Sequence, residues 1–381
     1  MVALHTLCVD AFPDRASALN ADFVLLALVT DAYGGRGGIA QYNRDLLNAL
    51  IETGAVSSIL AVPRWAEEGG STPRGIQQVS PRHERIAYSL TAFRTALGHR
   101  IDVVYCGHLF MAPLALLVAR LKNAKLIVQM HGIEAWQRPR ALVRKAVEAA
   151  NLVLCVSRHT RGAVLQWAAI PPERIVVLSN TVGEDFTPGD GSALRVTWGL
   201  QGKRVLLTVG RLSSTERYKG HDRVIRALPL LVAAGHDVVY VIAGAGDDRG
   251  RLQALAEEAC VGERVRFVGA LDTATLVDAY RMADIFVMPS TGEGFGIAFL
   301  EAMACGTPAL GLNVAGACDA LADGALGTTC TETELPDAIA RILAAERPNR
   351  QALAAEVNRH FGRDVFAERA VAALRNLRNV A

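Results

Sequence analysis

The chain of 381 residues is too long for one ordinary hydrophobic core and suits two domains of roughly 150–200 residues each. Its composition is that of a globular protein, with 51% hydrophobic residues, 20% charged residues and a formal net charge of only +2. This near-balance argues against a general nucleic-acid-binding protein, which normally carries a strong basic excess.

The cysteines and the hydropathy pattern predict a cytoplasmic protein that does not cross a membrane. The seven cysteines are scattered, with no Cys-x-x-Cys pair and no metal-site spacing, which is typical of small core residues in a reducing compartment. The first twenty residues have no basic start and no long apolar run, so we expect no targeting segment there and assign them no role. Apolar stretches such as LFMAPLALLVA fall well short of the roughly 20 residues that span a bilayer.

Short runs of Val, Ile and Leu alternate along the chain with longer helical patterns. Continuous apolar strands separated by helices predict parallel sheets that are covered on both faces. The fold class is therefore α/β, with two doubly wound, Rossmann-like domains in succession. The predicted strands are FVLLALVT, DVVYCG, KLIVQMHG, LVLCVS and RIVVLSN in the first half, and RVLLTVGR, DVVYVIAGAG, RVRFVGAL and IFVMPS in the second.

The residue composition changes near residues 186–203, where Pro, Gly and Asp cluster before a new strand begins at Val205. We place the domain boundary in this segment. Residues 1–187 are predicted to form an N-terminal domain and residues 188–365 a C-terminal domain. The tail FAERAVAALRNLRNVA, residues 366–381, is predicted to form one last amphipathic helix.

A glycine-rich turn, GGRGGIAQYNRDLLNAL, follows the first strand and leads into a helix. Gly35, Gly37 and Ala40 match the dinucleotide-binding fingerprint in isolation. The acidic residue expected at the end of the second strand, SSILAVPRW, is absent, but Arg64 would suit an NADP-dependent oxidoreductase, which stays an alternative. We favour a glycine loop that closes over a phosphate group held mainly by the other domain.

Two segments of the first domain are basic. PRHERIAYSLTAFRTALGHR, residues 81–100, interleaves arginines with large apolar side chains, and WQRPRALVRKAV, residues 136–147, adds four cations. A basic amphipathic helix of this kind can rest on an anionic membrane surface. A solvated helix with one core-facing stripe is the alternative.

Further candidates stand at strand ends, where open α/β sheets bind their ligands. His131 directly follows the strand KLIVQM, and a neutral imidazole there can hydrogen-bond a sugar or accept a proton. Arg211 follows the strand RVLLTVG, and Lys219 stands beside Gly220 at the start of the next helix. Two cations at one strand end can neutralise a pyrophosphate. The alternatives are a structural histidine and two solvated loop cations.

Two glutamates distinguish the stretch STGEGFGIAFLEAMACGTP, residues 290–308. A helix that starts near Ile297 points its free N–H groups at the glycine-rich turn, which favours a phosphate. Glu301 then lies about one turn inside this helix, where its carboxylate can accept two hydrogen bonds from a vicinal diol such as that of ribose. Glu293, on the loop, can meet hydroxyls at the other end of the ligand. The alternatives are that Glu293 caps the helix and that Glu301 pairs with a cation.

In this order, the motifs resemble those of the retaining glycosyltransferases of family 4, the group 1 class with the GT-B fold. The Glu293 and Glu301 spacing together with Arg211 and Lys219 is specific, whereas the glycine loop alone is not. The segment NTVGED departs from the usual Asn-Gly-Val-Asp, which leaves the hinge region open. Between residues 22 and 316 the matching motifs are GGRGGIAQYNRDLL, HGIE, LCVSRHTRGAVLQW, IVVLSNTV, VGRLSSTERYKGHDRVIRAL, RVRFVGAL and PSTGEGFGIAFLEAMACGTPAL.

The resemblance implies that the second domain binds a nucleotide-diphosphate sugar without a metal or other cofactor. His131 and Glu293 would be the catalytic candidates beside the transferred sugar, and the final helix would cross back to the first domain. The implied donor-binding residues are Arg211 and Lys219 for the diphosphate, Glu301 for the ribose, the backbone of Phe295, Gly296 and Ile297 for sugar and phosphate, Gly37 and Gly38 for the diphosphate from the first domain, and Val268 for the base.

The implied reaction moves a hexose of the mannose or glucose type from a UDP- or GDP-sugar to an acceptor glycan that the first domain binds. Similar enzymes extend lipid-linked glycans for bacterial exopolysaccharide or lipopolysaccharide. The expected partners are therefore a donor, a glycan or lipid-linked glycan and an anionic membrane at the inner face of the plasma membrane, but no nucleic acid. The alternatives are a nucleotide-sugar epimerase or glycan synthase on the same fold, an NADP-dependent oxidoreductase, and an inactive nucleotide-binding or scaffolding protein.

Overall fold

A computed structural model describes residues 23–66 and 70–379, which form two parallel β-sheets with helices on both faces. The strands are β1 (Val24–Val29), β2 (Ser58–Pro63), β3 (Ile76–Gln78), β4 (Val103–Cys106), β5 (Lys125–Met130), β6 (Leu152–Cys155), β7 (Ile175–Val177), β8 (Arg204–Val209), β9 (Val238–Ala243), β10 (Val265–Gly269), β11 (Ile285–Met288), β12 (Ala309–Leu312) and β13 (Thr328–Cys330). The prediction that no targeting segment is present concerns residues 1–20, which lie outside the described residues.

The sheets have the strand orders β3-β2-β1-β4-β5-β6-β7 and β10-β9-β8-β11-β12-β13. All pairings between these strands are parallel, and every residue of β4, β6, β9 and β11 is buried. The predicted α/β class is thereby confirmed. We call the β1–β7 sheet with its helices the first lobe, and the β8–β13 sheet with its helices the second lobe.

Helices connect the strands and cover both sheets. None of the helices in the described part of the chain is both long and apolar enough to span a bilayer. Their bounds are α1 (Gly38–Glu52), α2 (Arg85–Gly98), α3 (Ala112–Lys122), α4 (Ile133–Trp136), α5 (Ala141–Glu148), α6 (Arg158–Trp167), α7 (Ser192–Thr197), α8 (His221–Ala233), α9 (Arg249–Glu258), α10 (Thr273–Met282), α11 (Ile297–Ala304), α12 (Ala317–Ala320), α13 (Leu335–Ala344), α14 (Arg350–Phe361) and α15 (Arg363–Asn379).

Strands β3, β12 and β13 are absent from the sequence prediction. Each has only three or four residues. Two of the three residues of β3 are glutamines, β12 contains Gly311, and β13 begins with two threonines. Such short runs lack the continuous apolar pattern that identifies the longer strands, and they form because neighbouring strands offer free backbone partners.

The chain passes between the lobes at two neighbouring points. After β7, Thr181 Oγ1 and the Val182 amide both donate to the Phe361 carbonyl, at 2.8 and 3.2 Å. Helix α14 ends there, and α15 begins at Arg363 rather than at residue 366, because only Gly362, in extended conformation, separates the two helices. Helix α14 packs against α11 of the second lobe and α15 against α1 of the first. The domain limits at residues 187 and 365 stay a prediction.

Candidate active site

Loops from both lobes meet at the carboxyl ends of their strands. A Cβ atom added to Gly294, after β11, would lie 2.1 Å from the His131 carbonyl oxygen, after β5. A Cβ at Gly132 would lie 2.5 Å from Gly294 Cα, and one at Gly38, where α1 begins, 3.5 Å from Ile297 Cδ1. These contacts place Gly38, His131 and the start of α11 around one cleft between the lobes.

Helix α11 begins at this cleft. Its N-cap, Gly296, has φ 99°, in the left-handed region that favours glycine. The amides of Phe295, Gly296 and Ile297 donate to no protein acceptor among the described residues. Free amides at the positive end of a helix bind anions, so this backbone suits a phosphate group.

Glu293, on the loop before α11, lies beside Lys219. Glu293 Oε2 is 3.6 Å from Lys219 Nζ, and both side chains are largely buried. No side chain caps α11, so the structure does not support the capping alternative for Glu293. Its Oε2 is buried and has no hydrogen bond within the described chain, which leaves an acceptor for a ligand hydroxyl. The Gly316 amide fixes the loop by donating to the Glu293 carbonyl at 2.9 Å.

Glu301 lies inside α11 with a hydroxyl partner. Tyr280 donates its hydroxyl to Glu301 Oε2 at 2.7 Å, and no cation pairs with this carboxylate in the described part of the chain. Burial raises the pKa of Glu301 from 4.5 to about 7, although the Tyr280 hydrogen bond opposes the shift. The carboxylate can still accept a further hydrogen bond at Oε1, which suits a diol.

The raised pKa of Glu301 predicts a pH dependence of stability. Because the folded state holds the Glu301 proton more tightly than the unfolded state, the resulting stabilisation is complete below pH 4.5 and is lost as the pH rises through about 7. The free energy of unfolding of the wild type should therefore fall relative to that of Glu301→Gln between pH 5 and about 8. Urea unfolding of both proteins across this range measures the difference, and parallel pH profiles would contradict the raised pKa.

Arg211 and Lys219 lie just beyond the end of β8, each beside a carboxylate. A Cβ added to Gly210 would lie 3.4 Å from Lys219 Cδ, so the lysine packs against the strand end. Arg211 Nη2 lies 2.5 Å from Glu216 Oε1, and the Arg211 side chain is 77% exposed. Glu216 was not predicted as a site residue, because the sequence of a polar loop does not reveal which cation a glutamate in it will pair with. The exposed guanidinium remains accessible to a ligand.

Three contacts hold His131. Its amide donates to Glu134 Oε1 at 2.6 Å, its Nε2 lies 2.9 Å from the Gly107 carbonyl, and its ring meets the Tyr42 ring edge-on at 5.3 Å. Burial lowers the pKa of His131 to about 4, although Glu134 and the Gly107 hydrogen bond oppose the shift. The imidazole is therefore neutral at neutral pH. Glu134 and Tyr42 lie within the motifs HGIE and GGRGGIAQYNRDLL but were not among the predicted site residues, since the sequence does not show that they contact His131.

The glycine loop before α1 is fixed from its own lobe. Gly37 has φ 92° and no atom within 4 Å of a Cβ position, so its backbone conformation, and not crowding, requires glycine. Arg44 Nη1 donates to the carbonyls of Ala32 and Gly35 at 2.7 and 2.8 Å. The loop is therefore held in one shape at the edge of the cleft.

Two residues named in the sequence analysis lie apart from these loops. Val268 is in β10, three strand positions from β11, which corresponds to about 14 Å across the sheet. A ligand that reaches both must be extended, as a nucleotide sugar is. Arg64, on which the oxidoreductase alternative depends, donates to the His83 carbonyl at 3.0 Å and stacks on Trp65.

An ion-pair bridge joins the lobes. Arg158, at the start of α6, contacts Asp319 Oδ1 through Nε and Asp323 Oδ1 through Nη2, both at 2.7 Å. Burial raises the pKa of Asp319, and the Arg158 guanidinium opposes this shift. Asp323 has φ 52°, and the preceding Ala322 has φ 48°, so two successive residues adopt the left-handed region at this bridge. The bridge is a direct side-chain contact between the two lobes.

In residues 23–66 and 70–379, no three His, Cys, Asp or Glu side chains are placed to hold a metal ion together. Independence from metal nevertheless stays a prediction. Lys219 and Arg211 supply positive charge to the cleft, and the free amides of α11 add a partial positive charge, so this part of the cleft suits an anionic ligand.

The chain is similar to known proteins in sequence and in fold. The sequence matches the family model of glycosyl transferases group 1 over residues 193–359 and that of glycosyltransferase family 4 over residues 36–186. It is 30% identical to the GDP-mannose-dependent alpha-(1-6)-phosphatidylinositol monomannoside mannosyltransferase of Mycolicibacterium smegmatis, across 89% of this chain and 94% of the relative. It is 29% identical to D-inositol 3-phosphate glycosyltransferase 1 of Catenulispora acidiphila, across 77% and 78%. Anabaena HepE in complex with UDP-glucose has the same fold, with a TM-score of 0.76 and 18% identity across 91% of this chain and 98% of that one.

Proposed function

The chain belongs to the glycosyl transferases group 1, family 4, whose members are retaining enzymes, and we propose that it moves a mannose- or glucose-type hexose from a UDP- or GDP-sugar to a glycan acceptor. The observation that carries this proposal is the cleft in which Gly294, between Glu293 and the free amides of α11, meets the His131 backbone of the other lobe, with Lys219 beside Glu293. The amides and the lysine suit the diphosphate, and the two side chains from opposite lobes suit the sugar.

The proposed reaction is a same-face substitution. Breaking the bond between sugar and phosphate builds negative charge on the diphosphate, which Lys219, Arg211 and the α11 amides stabilise in place. Glu293 binds sugar hydroxyls beside Lys219 and does not act as the nucleophile. The departing phosphate takes the proton of the acceptor hydroxyl, so the anomeric configuration is retained without a covalent intermediate on the enzyme.

A thermal-shift panel of UDP- and GDP-sugars tests the donor. A ligand that binds only the folded state raises the melting temperature, so we expect one nucleotide series to stabilise the protein and the other not to. Release of the matching nucleotide diphosphate, together with a hexosyl product, would establish transfer. The epimerase alternative predicts a changed donor sugar without an acceptor, and the oxidoreductase alternative predicts a fluorescence change of added NADPH. Failure of every nucleotide sugar to stabilise the protein would contradict the proposed donor site.

We further propose a lipid-linked acceptor, reached at the cytoplasmic face of an anionic membrane, as in bacterial exopolysaccharide or lipopolysaccharide assembly. The mycobacterial relative is named for a lipid acceptor, a phosphatidylinositol monomannoside, which supports this proposal. The first lobe supports it too, because α2 carries apolar side chains on its solvent side. Ile86, Leu90 and Leu97 are 77%, 52% and 65% exposed. The core-facing side of α2 is a different stripe, made of Tyr88, Ala92 and Ala96.

The charge of α2 suits an anionic surface. Arg85 and Arg94 are exposed beside the apolar stripe, and residues 85–98 contain no Asp or Glu. A solvated helix with one core-facing stripe accounts for the buried side chains of α2 but not for three large apolar side chains in water. A peripheral membrane contact accounts for both the apolar and the basic side chains.

Liposome flotation tests this surface. The wild type should float with anionic vesicles at moderate salt, and the triple change Ile86→Ser, Leu90→Ser and Leu97→Ser should remove most of this binding. The matched control is Leu230→Ser on α8, because Leu230 is similarly exposed (60%) but lies in the second lobe. Equal flotation of wild type and triple variant, or none by the wild type, would refute the membrane contact.

A further inference from the structure

Two imidazoles stand side by side in the first lobe. His108 follows β4 and His131 follows β5, the neighbouring strand, and their ring centres are 6.4 Å apart. The proposed function uses His131 alone. His108 has a half-buried ring, whose centre is 5.4 Å from that of the Phe110 ring. His108 therefore has both Phe110 and His131 as ring neighbours.

The backbone determines which nitrogen of His131 carries the proton. Nε2 lies 2.9 Å from the Gly107 carbonyl, which can only accept a hydrogen bond, so Nε2 is the donor. In the neutral imidazole, Nδ1 then carries a lone pair. His131 therefore keeps one acceptor, Nδ1, for a further partner.

The opposite tautomer follows for His108. Its Nδ1 accepts a hydrogen bond from the Phe110 amide at 3.3 Å, so this nitrogen carries the lone pair and Nε2 carries the proton. Burial lowers the pKa of both imidazoles, and Glu134 opposes the shift at each, so both rings are neutral. Neither His108 Nε2 nor His131 Nδ1 has a hydrogen-bond partner within residues 23–66 and 70–379. The pair thus has one unused donor and one unused acceptor.

The spacing of the rings suits a single shared oxygen atom. With hydrogen bonds of about 2.8 Å and about 1.1 Å from each nitrogen to its ring centre, two imidazoles that share one oxygen at a roughly tetrahedral angle have centres about 6–7 Å apart. The observed separation of 6.4 Å falls within this range. A hydroxyl group donates one hydrogen bond and accepts others, so it matches a donor and an acceptor together.

We propose that His108 is a second sugar-binding residue, which donates to the same hydroxyl of the transferred hexose that donates to His131. The inference rests on the proposed function, because it takes the ligand to be a hexose donor. The site would then select donor sugars that carry a hydroxyl at this position. A sugar that lacks the hydroxyl would leave both imidazole nitrogens without a partner in a partly buried cleft.

The test uses the variant His108→Ser with the parent donor and a set of its deoxy analogues. A serine hydroxyl can still accept from the Phe110 amide as an N-cap, so the local fold is kept, but it is too short to reach the shared hydroxyl. We expect kcat/KM for the parent donor to fall about 3- to 10-fold, the effect of one lost neutral hydrogen bond. For the one analogue that lacks the shared hydroxyl, kcat/KM of His108→Ser should equal that of the wild type. The selectivity for the parent donor over this analogue should therefore fall by the same factor, about 3- to 10-fold, in the variant.

His99→Leu is the matched control, because His99 is an exposed histidine of the same lobe beyond the end of α2. It should leave activity and selectivity as in the wild type. If His108→Ser lowers kcat/KM equally for the parent and every deoxy donor, its role is structural and the inference is overturned. If the wild type transfers no sugar from any nucleotide donor, the proposed function itself fails, so the two failures are distinguishable.

Discussion

Replacing Lys219 with alanine is expected to lower kcat/KM for the sugar donor about 10²- to 10³-fold, because the change removes a fixed cation from the leaving diphosphate. The loss has a second cause. Lys219 Nζ is the cation beside Glu293 Oε2, so its removal leaves a largely buried carboxylate next to an anionic ligand. Arg211→Ala should act in the same direction, and its exposed side chain can be removed without disturbing the core.

Steady-state kinetics and melting temperatures measured together separate this effect from unfolding. Lys203→Ala is the matched control, because Lys203 also pairs with one carboxylate, Asp237 at 2.7 Å, but does so on the open surface. It should retain wild-type turnover, since exposed ion pairs contribute little. Full activity of both Lys219→Ala and Arg211→Ala would show that the diphosphate binds elsewhere.

A single added methyl group at Gly294 should reduce turnover about 10²-fold or more, as displacements near 1 Å can do when they separate reacting groups. The backbone of Gly294 does not adopt a positive φ, so alanine fits its conformation. The added Cβ would, however, lie 2.1 Å from the His131 carbonyl oxygen of the other lobe. The lobes would have to separate, which moves His131 away from the sugar.

Gly250→Ala is the control for this substitution, because Gly250 lies in α9 with nothing within 4 Å of its Cβ position and has no positive φ. It should keep wild-type turnover and stability. A thermal shift with the nucleotide diphosphate should persist in Gly294→Ala, since the proposed site for that ligand is mainly in the second lobe. Near-normal turnover of Gly294→Ala would mean that the observed contact between the lobes is not needed for catalysis.

The long strands could be predicted from local pattern alone, because a buried parallel strand is apolar throughout and is flanked by helical segments. The start of α11 at Ile297 followed equally from local residues, since the glycine-rich turn before it is a recognisable break. Strand β13 could not be predicted, because its three residues carry no apolar pattern. It forms by pairing with the neighbouring strand β12, and the local sequence does not reveal this pairing.

In the candidate site too, some features could be predicted from local sequence and others could not. The spacing of Glu293 and Glu301 is a local signal, and the structure places both acids around α11. The partners that adjust their chemistry are not local signals. Tyr280 is 21 residues from Glu301 in the chain, and the two meet because α10 packs against α11. Gly107 is 24 residues from His131, and these two meet because the sheet brings the ends of β4 and β5 together. The roles assigned to these residues remain predictions until the variants are measured.

Helix α15 is the last described element that the ribosome produces, yet it packs on α1, one of the first. The Tyr42 ring of α1 meets the Phe366 ring of α15 at 5.9 Å, so this part of α1 stays uncovered until translation of the second lobe is over. A nascent chain can therefore fold its second lobe before its first lobe is complete, which reverses the usual N-to-C order of domain folding. A chain truncated before α15 would have an uncovered apolar surface on α1, beside its glycine loop.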